Sequence, residues 1–378
     1  MAVTIDGNTG IDKVQDGSIG TADLAADAVT TAKVADTVNL GRRNLVINGR
    51  FQFWQRGTSI TGNSSAAPFL ADRFFVQDSS QFTSNISRDI DVPSGQGFIF
   101  SQKREWTTAH DLSNTGSYST TEHKIERNDV NHLMCGTSDA KQVTLSFWVK
   151  SSVTGNHSFT MQIFASSRRS YKTTYNIAAA NTWEKKTITI QMDTNSAGAF
   201  SGGGKTAGIF LRWGHGAGSQ YSNSNTDAFE TTDTFFVTGS AAPASVTNAT
   251  WYITGIQLEV GDTATPFEFL RQGEEEALCQ RYFYASDNGE MNCVMGTSTE
   301  GLGMGSFPTK MRVSPTVYAS GGGAITTADI RYFNGSATFT TFTTCSTSRL
   351  GIQYFSVVGS GTQGLPVRPF PLWFDAEL

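Results

Sequence analysis

From about position 44 the chain alternates apolar and polar residues with period two, the pattern of half-buried β-strands. Val143, Leu145, Phe147 and Val149 share one face of such a run, and Phe159, Met161, Ile163 and Ala165 share another. Ile188, Ile190 and Met192 repeat the arrangement, as do Ile209, Leu211 and Trp213. In the run Trp251, Ile253, Ile256, Leu258, Val260 the parity slips at Gly255, which predicts a β-bulge. Clusters of Gly, Ser and Asn separate these short strands, and that predicts a sandwich rather than strand–helix–strand units. By parity Trp213 belongs to the core. Trp148 points away from the apolar set of its own strand, towards a ligand, another sheet or another subunit.

One segment reads as a helix. Residues 272–282 place Glu274, Glu275 and Glu276 in the first turn and Arg281 in the last, both favourable to the helix dipole. Leu278 and Tyr282 fall four apart on one face, and the helix marks a junction between two strand-rich blocks. Strands are expected again at 307–318, 339–344 and 350–358. The end is apolar, Phe370-Pro371-Leu372-Trp373-Phe374, and is expected to pack within its own domain or between subunits.

Residues 1–42 are different. They hold no aromatic residue, and a ten-residue echo aligns Ile19 with Val29 and Leu24 with Val34. Two units are too few for a solenoid, and one copy buries too little apolar surface to offset its ordering entropy. The expectation is an extended arm that orders against other chains through Ile19, Leu24, Val29 and Val34. The predicted organisation is therefore mainly β: an N-terminal arm over 1–42, a jelly-roll β-sandwich over 43–272, and a short helix followed by a second, sandwich-like β-domain over 273–378.

Composition narrows the function. Charged residues are 16% of 378, with 38 Gly and 26 Phe; that is too aromatic and too weakly charged for a disordered chain. A net charge of −5 offers no basic surface for nucleic acid. No apolar run approaches the ~20 residues that cross a bilayer, so membrane insertion is not expected. The N-terminus lacks the basic and apolar regions of a secretory signal. Cys135, Cys279, Cys293 and Cys345 show no CxxC spacing, and free, partly buried thiols of a protein made in the cytoplasm are the preferred reading.

Motifs for chemistry are poorly represented. Gly202-Gly203-Gly204-Lys205-Thr206 lacks the first glycine of a phosphate-binding loop, because position 199 is Ala, and a strand pattern follows where that loop needs a helix. His110, His123, His132, His157 and His215 never form a His-Glu-x-x-His pair, and nothing nearby completes a tetrahedral metal set around His132 and Cys135. No Gly-x-Ser-x-Gly elbow occurs. Enzymatic activity is not expected.

One ordered series carries a resemblance. It runs Asn44-Leu45-Val46-Ile47-Asn48-Gly49-Arg50-Phe51-Gln52-Phe53-Trp54-Gln55-Arg56-Gly57, Ala71-Asp72-Arg73-Phe74, Ser146-Phe147-Trp148-Val149-Lys150, Ile256-Gln257-Leu258-Glu259-Val260-Gly261, Thr265-Pro266-Phe267-Glu268, Ala277-Leu278-Cys279-Gln280-Arg281-Tyr282 and Phe374-Asp375-Ala376-Glu377-Leu378. The series resembles bacteriophage tail-fibre and receptor-binding proteins. Its opening and closing strands resemble carbohydrate-binding modules of the galactose-binding, jelly-roll type. The resemblance implies a virion component, usually a homotrimer. Its N-terminal arm would dock on a tail adaptor, nozzle or capsid subunit, and its tip would face host surface polysaccharide. Alternatives of the same build are a capsid-bound head fibre or decoration protein, a baseplate or tail-tube-associated protein, and a glycan-degrading tailspike. Jelly rolls of this type often hold a structural Ca²⁺ near the first and last strands. Glu259 and carbonyls near Asn44 offer oxygens for one, although a hydrogen-bonded turn is the preferred reading. In the motif, Asn48-Gly49 supplies a turn, and Phe51 and Phe53 are expected on one face with Trp54 opposite.

Sugars stack C–H faces on aromatic rings and bond their hydroxyls to small polar side chains. The Gly-rich stretch 214–227 offers His215, Tyr221 and Asn223, and Trp106 lies in another polar stretch. These four are the carbohydrate-contact candidates, each with structural packing as the competing role.

Overall fold

The computed structural model describes residues 42–286 apart from 64–65, 80–82, 166–167 and 201–203, together with 5–6, 10–11, 293–295, 300–303, 306–319, 330–332, 339–359, 366–369 and 372–377. Ile19, Leu24, Val29 and Val34 lie outside the described residues; of the arm, the two short strands Ile5–Asp6 and Gly10–Ile11 pair with each other.

Two antiparallel sheets face each other. One runs in the order Phe229–Thr231, Arg168–Ile177, Gly155–Phe164, Ala207–Ala217, Tyr118–Glu126, Phe74–Asp78, Ala66–Phe69. The other runs Glu184–Gln191, Gln142–Ser151, Ala249–Val260, Ser101–Trp106, Ser84–Asp89, Ser59–Asn63. From residue 101 to 217 the chain repeatedly crosses between them, a jelly-roll sandwich. The alternation explains why. Val143, Leu145, Phe147, Val149, Phe159, Met161, Ile163, Ile209, Leu211, Trp213, Trp251, Ile253, Ile256 and Leu258 are all completely buried in one core. Val260, expected with them, is exposed at its strand's end.

The parity slip is a bulge. Pairing between 249–260 and 142–151 shifts register between Thr254 and Gln257, and Gly255 takes a φ of +63°. The opening motif closes over it. Ile256 N–H donates to Gly49 O at 2.9 Å, Asn44 Nδ2 donates to Ile256 O at 3.0 Å, and Asn44 Oδ1 accepts from the amides of Val46 and Leu258. Asn48, not Gly49, takes the left-handed conformation, and its carboxamide binds Phe53 and Asp72. Residues 51–54 are not a strand: Phe51 and Trp54 form the buried pair, and Phe53 is half-buried.

A second helix, Arg127–Val130, is a single turn that the alternation hid. The expected helix spans Gln272–Gln280 and buries Glu275 and Cys279, not Leu278. Beyond it a three-stranded sheet orders Phe283–Ala285, Leu372–Asp375 and Thr316–Ala319 around a small core of Tyr284, Phe307, Met311, Leu372, Phe374 and Ala376. A six-stranded sheet holds Phe339–Ser348 and Gly351–Gly359. Residues 307–315, expected to extend a strand, are turn and coil. Among the described residues no helix is long and apolar enough to cross a membrane.

The resemblance-bearing residues meet where the sandwich joins this C-terminal sheet. Arg73, with its side chain 1% exposed, pairs with Glu377 and lies 3.6 Å from the Tyr282 ring centroid. Arg56 reaches Asp375 at 3.2 Å and Glu377 at 3.5 Å and lies over Phe283. Arg281 and Tyr282 both bind Glu126, and Arg50 binds Glu275 at 2.6 Å. The polar letters of the motif are the joint between the two β-blocks.

Candidate functional site

Trp106 and His215 are interior residues, which corrects their placement as sugar contacts. Both are completely buried, their rings 5.0 Å apart, and His215 also packs 4.5 Å from Trp251. His215 Nε2 meets the Thr121 hydroxyl at 2.9 Å. Burial first, and then the nearby Arg104 charge, hold its imidazole well below the ordinary range, so it stays neutral. The residues from Gly214 to Ala217 end a strand rather than begin a loop.

Tyr221 and Asn223 lie elsewhere, in a segment crossing the outer face of the seven-stranded sheet. Tyr221 stacks 5.0 Å from Phe235 and meets Tyr118 edge-on at 5.1 Å; Asn223 Nδ2 donates to Glu230 at 2.9 Å. Thr160 and Arg212, cross-strand partners on that face, hold Phe235 from below. The structure thus brings the four candidates together only in pairs, one pair inside the core and one in this strap.

Glu259 is also accounted for. Oε1 accepts from Thr265 N–H and Gln257 Nε2 at 2.9 Å each, and Oε2 accepts from the Thr265 hydroxyl at 2.6 Å. The carboxylate closes a turn. Among the described residues no three His, Cys, Asp or Glu gather as a metal set. Cys135 and Cys279 are free and buried.

A concave surface lies on the outer face of the sandwich sheet that contains Glu184–Gln191, Gln142–Ser151 and Ala249–Val260: a cleft of about 400 Å³ lined by Gly95, Gln96, Phe98, Ser146, Trp148, Lys185, Gly255, Ala264, Pro266, Phe267 and Phe269. Register builds its floor. Trp148 pairs with Lys185 on one side and Thr254 on the other, so the three form a row across adjacent strands on the face opposite the core. Phe98, Phe267 and Phe269 form the wall, with centroids 4.9–5.4 Å apart. Phe98 reaches the floor because Gly255 has no side chain: an ideal Cβ there would stand 2.5 Å from Phe98 Cζ.

A second aromatic group continues the same face one row along. Tyr252 pairs with Lys150, and Lys150 Nζ lies 4.1 Å from the Tyr252 ring centroid and 5.5 Å from that of Trp183. Trp183 Nε1 donates to Asp91 at 2.8 Å, and Lys150 pairs with the same carboxylate. Partial burial pushes the Asp91 carboxyl up, but the hydrogen bonds from Lys150 and Trp183 outweigh it and hold the group below its ordinary value.

Outward-facing Trp148 was legible from parity. The Phe wall was not, because those rings arrive from loops around 95–98 and 264–269, far apart in sequence and without periodicity.

A jelly-roll sandwich with an aromatic cleft on one outer face defines the class of architecture. No protein-family model matches the chain, and no curated protein does. Among solved structures it is similar to the enzymatically active domain of tailspike protein 4 of bacteriophage CBA120, at 14% identity and a TM-score of 0.33, covering 58% of this chain and 21% of that one. It is also similar to a putative sugar-binding protein from Bacteroides thetaiotaomicron, at 10% identity and a TM-score of 0.32, covering 58% and 100%. A third is TmCBM61 in complex with β-1,4-galactotriose, at 8% identity and a TM-score of 0.29, covering 58% and 100%. The chain spans about a fifth of the tailspike domain's length. Functional assignment therefore rests on the chain's own residues.

Proposed function

We propose that this chain is a bacteriophage fibre protein that attaches the particle to its host by binding surface glycans, without chemistry on them. The cleft carries the reading. Its volume of about 400 Å³ lies in the range of small-ligand sites. Trp148, Phe98, Phe267 and Phe269 present ring surface to C–H faces, while Gln96, Ser146 and Lys185 supply hydrogen-bonding groups. No carboxylate or histidine lines it among the described residues, which favours binding over the paired-carboxylate hydrolysis of a glycan-degrading spike.

The virion role is supported by the resemblance of the ordered series from Asn44 to Leu378 to phage fibre proteins. In this reading residues 1–42 dock on a tail adaptor, nozzle or capsid subunit, and three copies assemble into a fibre. Linked copies convert individually weak sugar contacts into firm attachment.

The test is a glycan array probed with the full chain and with Trp148→Ala, followed by competition of infection by the purified protein. Binding to a glycan class, lost with Trp148→Ala and matched by blocked adsorption, supports the proposal. Absence of glycan binding, or binding indifferent to Trp148, overturns the cleft as the site. A monomer in light scattering would overturn the trimer.

A further inference from the structure

The charges on the cleft face are unevenly matched. Lys150 pairs with Asp91, and Lys103 lies 3.8 Å from Glu105. Lys185 stands beside Trp148 in the cross-strand row and lines the cleft, yet among the described residues it has no ion pair. It is exposed, and among the described residues no other charged side chain lines the cleft. An ammonium beside an aromatic floor, with no carboxylate to neutralise it, is a receptor for an anion attached to an apolar ring face.

We infer that the cleft is selective for acidic glycans: a sugar ring lies over Trp148, and its carboxylate, from a uronic or sialic acid, meets Lys185 Nζ. This rests on the glycan-binding reading and specifies its ligand. The Phe98–Phe267–Phe269 wall flanks that ring and reduces its contact with water, which strengthens the charge-assisted hydrogen bond at the rim. The competing role for Lys185 is that of a guard, since Glu184–Gln191 is an edge strand and edge lysines discourage pairing with another sheet.

The experiment uses the full chain on an array of hyaluronan, alginate, polygalacturonate and colominic acid oligosaccharides, each beside its carboxyl-reduced counterpart, together with neutral glucans, galactans and mannans. The expected result is binding to at least one acidic member, weakened about tenfold or more by carboxyl reduction and by Lys185→Gln. Lys185→Arg should retain binding, and added salt should weaken the acidic ligand alone. Melting temperatures of both variants should match the parent, since the side chain is exposed.

Equal binding of acidic and reduced forms, or unchanged affinity in Lys185→Gln, overturns the inference and leaves Lys185 as an edge guard; the cleft then stands if Trp148→Ala still abolishes binding. Trp148-dependent binding confined to neutral glycans has the same meaning. Binding to no member of either class sinks the parent reading together with this one.

Discussion

The Phe98 ring fills the space that a side chain on Gly255 would need, 2.5 Å from the ideal Cβ position. One glycine therefore serves two ends. Its φ of +63° lets the 249–260 strand bulge, and its bare backbone admits the ring that forms the cleft wall.

Gly255→Ala should disturb both. The left-handed conformation and the clash with Phe98 are expected to destabilise the chain by about 1–3 kcal/mol. Glycan affinity should fall further than stability, because Phe98 must leave the wall. Thermal unfolding and array binding of the variant check this; a native melting curve with native affinity would refute it.

Trp148→Ala and Trp106→Ala should behave in opposite ways. Trp148 is half-buried on the cleft floor, so its loss should abolish most binding while the fold persists. Trp106 is fully buried against His215, so its truncation should cost about 3–5 kcal/mol and reduce binding only by unfolding. Paired calorimetry and binding titrations separate the two.

Glu377→Ala should loosen the joint. It would leave the Arg73 guanidinium, 1% exposed, without its carboxylate. Breaking a buried pair from one side costs about 3–5 kcal/mol. The expected readouts are a lower unfolding midpoint and earlier proteolytic release of the C-terminal segment.

Asp72 gives the joint a pH dependence. Burial raises its carboxyl to about 6, against the lowering effects of Arg56 and of the hydrogen bonds from Gln55. The folded chain then holds the proton more tightly than the unfolded one, whose value is about 3.9. The stabilising contribution is complete below the unfolded value and is lost as pH rises through about 6. Asp72→Asn cannot ionise, so the stability difference between variant and parent should shift towards the variant across that window. Denaturation at stepped pH measures it, and parallel curves would count against Asp72.

The sequence by itself determined the sandwich, because the faces of a strand alternate with period two and a buried face must be apolar. That local rule placed Trp213 in the core, turned Trp148 outward and marked the bulge at Gly255. It failed at Ser101–Trp106, where Arg104 faces inward and is completely buried. Arg104 Nη2 donates to Asp78 at 2.7 and 2.9 Å and to Ser84, so a charge is tolerated inside only because another strand brings its partner. With polar residues on both faces, that strand carries no apolar alternation, so in the sequence Trp106 is only an aromatic residue in a polar stretch. Only the tertiary structure decided the cleft. Its floor comes from strand register, but its Phe wall comes from two loops whose meeting depends on how the whole sandwich closes.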